Sequence, residues 1–275
     1  MKFFKSQLTY VVLQTLLVFV TLAAQAQRGD RPAPYPGDGE RLPPARPYYK
    51  LICGANPNNF QPYDQVRDVL IGKSGFGYAQ SVDCQAAIIA TSQTQEPIVC
   101  NWNGNNFQPY NIMSNSGVGR NGYGFASSFD CNESVRLSER NLLCTWNGSN
   151  WSLFKISNNQ TVGRVVGGTY YGYAALADCR ESIQQSRNGL ICSWNGSNWS
   201  PFSSNSGDHV GKISNGEYFG FSQLTECRQS VSNSSRHLVC NWNGAGFQPY
   251  NIRTNEAVGR IGVATLTECI QMLRP

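Results

Sequence analysis

Apolar and polar positions in this chain follow one pattern five times over. An apolar pair (Leu51-Ile52, Ile98-Val99, Leu142-Leu143, Leu190-Ile191, Leu238-Val239) stands directly before Cys53, Cys100, Cys144, Cys192 and Cys240. Two positions past the cysteine comes Trp102, Trp146, Trp194 or Trp242, with Ala55 in the first unit. Asn follows every time: Asn56, Asn103, Asn147, Asn195 and Asn243. Gly comes next, except for Pro57 in the first unit. Aromatics recur at plus seven (Phe60, Phe107, Trp151, Trp199, Phe247) and at plus ten (Tyr63, Tyr110, Phe154, Phe202, Tyr250). An aliphatic, a Gly and a base occupy plus eighteen to twenty, the bases being Lys73, Arg120, Arg164, Lys212 and Arg260. A second cysteine, always preceded by an acid, closes each unit: Cys84, Cys131, Cys179, Cys227 and Cys269.

A short apolar run ending in Asn-Gly predicts a β-hairpin, both residues tolerating positive φ. If the loop is the four residues from plus three to plus six, the Trp at plus two faces the plus-seven aromatic across the hairpin. Such a cross-strand pair is worth roughly 0.2–1 kcal/mol over Ala–Ala. A third extended piece is expected around the Val-Gly-Arg and the recurrent Gly-aromatic (Gly77-Tyr78, Gly124-Phe125, Gly172-Tyr173, Gly220-Phe221), which is Gly262-Val263 in the last unit. The period then changes. Cys84/Ile88, Cys131/Val135, Cys179/Ile183, Cys227/Val231 and Cys269/Leu273 each share a helical face. Thr265-Leu266-Thr267-Glu268 has capping-box form.

Each unit therefore reads as a hairpin, a third strand and a helix of about ten residues. It cannot bury its apolar face alone, so neighbours stack. The expected fold class is α+β and β-rich: five tandem disulfide-bearing hairpin-strand-helix repeats, closed into a five-fold propeller or pinwheel. Closure is expected because neither end carries a polar cap, and the strand at Tyr49-Lys50-Leu51-Ile52 is free to receive the last helix. The missing first Trp argues the other way, since terminal repeats in open arrays are often atypical. Repeat boundaries fall near 49–96, 97–140, 141–188, 189–236 and 237–275.

Five repeats of this length resemble the five-bladed lectin propellers of the tachylectin type. The resemblance covers Tyr49 to Pro275 in repeat number and length. It implies a ring of blades and a sugar-binding role. Those lectins have four-stranded blades, whereas this chain carries a helix and a cysteine pair in each unit. The five-fold propeller of the pentein type is a second architectural analogue, but its catalytic Cys and His have no counterpart here.

Residues 1–26 read as a signal peptide, with Lys2 and Lys5 ahead of an apolar stretch and Ala24-Gln25-Ala26 as the cleavage site. Residues 27–48 read as a Pro-rich linker. Export to a secreted or periplasmic, oxidising location explains ten regularly spaced cysteines as a disulfide framework. Two pairings fit: Cys53–Cys84 and its equivalents within each unit, or each helix cysteine to the next unit's strand. Within-unit pairing is preferred, because a duplicating unit then carries its own bridge. No Cys-x-x-Cys pair and only two histidines leave metal ligands unsupported, and no cofactor is expected.

Removing the signal lysines lowers the formal net charge from +5 to +3. No basic cluster suggests nucleic acid, and no segment after the signal is apolar enough to span a membrane. No nucleophile motif supports catalysis. The candidate binding residues are Trp102, Asn103, Trp146, Asn147, Trp194, Asn195, Trp242 and Asn243 as sugar-stacking and hydrogen-bonding groups. Arg120, Arg164, Lys212 and Arg260 join them as a ring of bases for an anion or acidic sugar. Each set also has a structural reading: Trp in the unit interior, Asn in the turn, the base paired with the acid before the second cysteine. The sequence favours a secreted, multivalent carbohydrate- or cell-envelope-binding protein. The alternatives are an extracellular protein-interaction or structural module, and then a secreted hydrolase.

Overall fold

The structure is a computed structural model and describes residues 49–259 and 262–274. The expected signal peptide, the linker and Arg260 lie outside the described residues. The first unit comprises β1 (Leu51–Ala55), β2 (Phe60–Asp64), β3 (Val69–Leu70) and α1 (Ser81–Ser92). The second comprises β4 (Ile98–Trp102), β5 (Phe107–Asn111), β6 (Ser116–Gly117) and α2 (Ser128–Arg136). The third has β7 (Leu142–Trp146), β8 (Trp151–Lys155), β9 (Thr161–Val162), an added hairpin β10 (Val165–Val166) and β11 (Thr169–Tyr170), then α3 (Leu176–Gln184). The fourth has β12 (Leu190–Trp194), β13 (Trp199–Ser203), a matching hairpin β14 (Ile213–Ser214) and β15 (Glu217–Tyr218), then α4 (Leu224–Ser232). The fifth has β16 (Leu238–Trp242), β17 (Phe247–Asn251) and α5 (Leu266–Met272).

The hairpin register is the one expected. Trp102 faces Phe107, Trp146 faces Trp151, Trp194 faces Trp199 and Trp242 faces Phe247. The Gly-aromatic segment returns to the same strand as an isolated bridge, for example Phe107 to Phe125 and Trp151 to Tyr173. The helices form where expected, and their first turns hold the recurrent acid, where the helix dipole favours it. α5 opens with the complete capping box of Thr265 and Glu268.

All five disulfides lie within units, joining the first strand to the helix: Cys53–Cys84, Cys100–Cys131, Cys144–Cys179, Cys192–Cys227 and Cys240–Cys269. In the three middle units the core around each bridge gathers the apolar pair, the aliphatic before the recurrent Gly and the helix residue four after the cysteine, whereas Ile52 in the first unit and Val258 in the last are exposed. Stacking supplies the rest. Tyr78 of the first unit donates its hydroxyl to the carbonyl of Cys100 at 2.7 Å, and Tyr173 does the same to Cys192. Arg228 on α4 reaches back to α3, donating to Ser182 Oγ at 3.1 Å and to Glu181 at 2.7 Å.

The two ends of the array differ from its middle. Ile52 is 38% exposed, whereas Val99, Leu143 and Val239 at the same position are 0% exposed. Asn101 and Asn241, directly after their cysteines, reach into the preceding unit and donate to the carbonyls of Ile71 and Val210 at 3.0 and 2.9 Å. The first unit has Gly54 there, with no side chain to reach anywhere. At the far end, Val263 stands where Tyr78, Phe125, Tyr173 and Phe221 lie buried in the four earlier units. Among the described residues, no helix is long and apolar enough to cross a membrane.

Candidate functional site

The loop asparagines serve the hairpin first. Asn103 Oδ1 accepts from the N–H groups of Asn105 and Asn106 at 2.9 and 3.0 Å, while Nδ2 donates to Asn106 Oδ1 and Gln108 Oε1. Asn147, Asn195 and Asn243 repeat the Oδ1 contacts, and their Nδ2 donates to Ser152, Ser200 and Gln248 respectively. This is an Asx turn, not the positive-φ role expected of these residues. The left-handed residue is the following glycine, Gly104 at φ 104°. A Cβ on Gly104 would come within 2.6 Å of the Phe76 ring from the unit before. Tyr123, Tyr171 and Phe219 press on Gly148, Gly196 and Gly244 in the same way. The four tryptophans are half-buried, each tilted or edge-on to its plus-seven partner with centroids 4.9–5.3 Å apart.

The base at plus twenty is not paired with the acid before the second cysteine. Among the described residues no ion pair joins those two positions, because the acid sits in the first turn of the helix. The base instead lies over an aromatic ring, and two kinds of junction result.

Between the second and third units, Arg120 sits over Tyr123 at 4.8 Å and Tyr170 at 5.5 Å and donates to the carbonyl of Asn147. Between the third and fourth, Arg164 sits over Tyr171 and Tyr218 and donates to the carbonyl of Asn195. Tyr170 and Tyr218 come from the added hairpins, β10–β11 and β14–β15. Tyr170 also stacks on Phe154, and Tyr218 meets His209 edge-on. These two junctions are filled with aromatic side chains.

The other two described junctions are open. A cavity of about 600 Å³ lies mostly on the second unit, walled by Asn103, Gln108, Tyr110 and Gly117 among others, with Lys73 of the first unit and Asn159 of the third also lining it. A cavity of about 510 Å³ between the fourth and fifth is walled by the corresponding Lys212, Asn243, Gln248, Tyr250 and Ala257. Neither wall contains an acid. Lys73 Nζ lies 4.5 Å from the Phe76 ring and Lys212 Nζ 5.0 Å from the Phe219 ring. Burial raises the pKa of the Tyr110 and Tyr250 hydroxyls, and the lysine backbones of the preceding unit partly offset the rise.

Of the residues expected from the sequence, one pocket holds Asn103 and the other Asn243 with Lys212; Lys73, beside Asn103, was not among the expected binding residues. The tryptophans lie outside both walls, Arg120 and Arg164 are clasped by tyrosines, and Arg260 is outside the described residues. Gln108, Tyr110, Gln248 and Tyr250 were not expected as site residues. A signal for them exists in the sequence: Phe-Gln-Pro-Tyr follows a unit whose plus-twenty base is Lys, whereas Trp-Ser-x-Phe follows one whose base is Arg.

No protein-family model matches the chain. No curated protein matches it either. Among solved structures it is similar to the computationally designed Ika8 protein, at 10% identity over 76% of this chain and 59% of that one, with a TM-score of 0.23. The chain thus spans under two thirds of that protein's length, and a likeness this slight carries no argument about fold or function.

Proposed function

We propose that this protein is a secreted, multivalent carbohydrate- or cell-envelope-binding protein whose sites are the open junctions between units. The carrying observation is that one polar set of Lys, Asn, Gln and Tyr lines a cavity at two separate junctions of a single chain. Convergent amide, hydroxyl and ammonium groups in a concave site suit a hydroxyl-rich ligand. Two sites on one rigid array suit a polymeric ligand, because the second contact becomes intramolecular and raises avidity. Five disulfides and the expected signal peptide fit export to an oxidising compartment. A glycan and peptidoglycan array tests the reading. Binding to a polymer that falls away in Gln108→Ala/Gln248→Ala supports it, and no binding to any preparation contradicts it.

The expected five-fold ring bears on how the sites are spaced. Closure into a ring would set the open junctions around one axis, whereas an open array would string them along a line. Small-angle scattering on the full chain distinguishes an elongated array from a compact ring.

A further inference from the structure

The four described junctions use one pocket in two ways. Where the added hairpin is present, its tyrosine occupies the space, and the base is an arginine held between two rings. A planar guanidinium is well suited to such stacking. Where the hairpin is absent, the base is a lysine covered by one ring, and the cavity is open. Lys73 and Lys212 take part in no ion pair among the described residues. Lys, unlike Arg, concentrates its charge at a point on a flexible stem.

The charge of the walls gives the open pockets a ligand preference. Each holds one ammonium and no carboxylate, so its field is positive and uncompensated.

We infer that the open junctions at Lys73 and Lys212 are a matched pair of sites for an anionic glycan, one acidic group per pocket. The acidic group is either a carboxylate on the sugar or a phosphate in the polymer backbone; both offer several acceptor oxygens and one or more negative charges. This rests on the glycan-binding reading above and adds the charge of the ligand and the two residues that select it.

The test is calorimetric titration of the full chain with three probes: an oligogalacturonate, its methyl ester, and a glycerol-phosphate oligomer. The expected result is at least tenfold tighter binding to one acidic probe than to the methyl ester, weakening as salt is raised. Which acidic probe binds identifies the source of the charge. Lys73→Gln/Lys212→Gln should abolish the preference. Lys50→Gln/Arg253→Gln, which removes equal charge from exposed positions, should keep it. Thermal unfolding of each variant checks that it folds. Equal affinity for ester and acid, or a preference that survives in Lys73→Gln/Lys212→Gln, overturns the inference while leaving glycan binding intact. Failure to bind any of the three overturns this inference, and the array then decides whether the broader reading falls with it.

Discussion

Asn115 holds the Leu70–Gly72 segment of the preceding unit through both ends of its amide. The Gly72 N–H donates to Asn115 Oδ1 at 2.7 Å, and Asn115 Nδ2 donates to the carbonyl of Leu70 at 3.0 Å. Asn159 and Asn255 clasp one glycine each, accepting from the N–H and donating to the carbonyl of Gly119 and of Gly211. All three asparagines sit at positive φ, a conformation their short polar side chain tolerates. The first unit has Asp68 in this place, also at positive φ. A carboxylate cannot donate as the amide does.

This relationship makes a graded prediction. Asn115→Gly keeps the left-handed backbone and loses two hydrogen bonds, each worth roughly 0.5–1.5 kcal/mol net. Asn115→Ala loses the same bonds and adds about 1 kcal/mol of backbone strain. Urea denaturation with the disulfides intact should rank wild type above Gly above Ala. An alanine variant as stable as the glycine variant would contradict the account.

Pairing within units predicts the behaviour of one bridge at a time. Cys100→Ala/Cys131→Ala releases a loop spanning a separation of 31 residues. In the chain-entropy view this costs roughly 3–4 kcal/mol. Peptide mapping of that variant should recover the other four bridges unchanged. Reshuffled pairs would mean that units do not fold around their own bridges.

His209 predicts a pH dependence. Burial is the first cause of its lowered pKa, which falls from 6.5 to about 4. Its Nδ1 is buried without a hydrogen-bond partner, and its ring is boxed by Phe202 and Tyr218. The nearby Arg164 adds to the depression. The unfolded chain therefore takes up a proton before the folded one. The contribution is full above pH 6.5 and is lost as pH falls toward about 4. Integrated over that interval it amounts to about 3 kcal/mol. His209→Thr, which copies Thr161 of the third unit, should flatten this part of the stability profile. An unchanged slope would mean that His209 is not the group responsible.

The aromatic filling of the middle junctions predicts a difference between two substitutions. Tyr218→Ala removes one of the two rings on Arg164, worth about 0.5–2 kcal/mol as a cation–π contact. Tyr218→Phe keeps the ring and should stay close to wild type in urea midpoint. Equal losses in both would assign the effect to the hydroxyl.

The unit itself was legible from sequence because its signals are local. Asn-Gly after an apolar run marked the hairpin, the cysteine with its i+4 partner marked the helix, and Thr265 with Glu268 marked a cap that forms as expected. What lies between units was not legible, since it depends on which surfaces stacking brings together. Phe76, Tyr123, Tyr171 and Phe219 look like ordinary loop aromatics until each is seen pressing on the glycine of the next unit's Asn-Gly. The same stacking turns Arg120 and Arg164 from candidate ligands into clasped side chains and leaves Lys212 at an open wall. The loop asparagines were correctly placed in the turn but for the wrong reason: their side chains, not their φ angles, make it.

The central claim is that ligand binds in the walls of the two open junctions. Side-chain amide resonances of Asn103, Gln108, Asn243 and Gln248 report on those walls directly. On titration with a glycan that binds, followed by nitrogen-15 NMR, the account predicts that these four amides shift together. The indole resonances of Trp146 and Trp194, outside both walls, should move little. Saturable binding that shifts the indoles and leaves all four amides in place would contradict it.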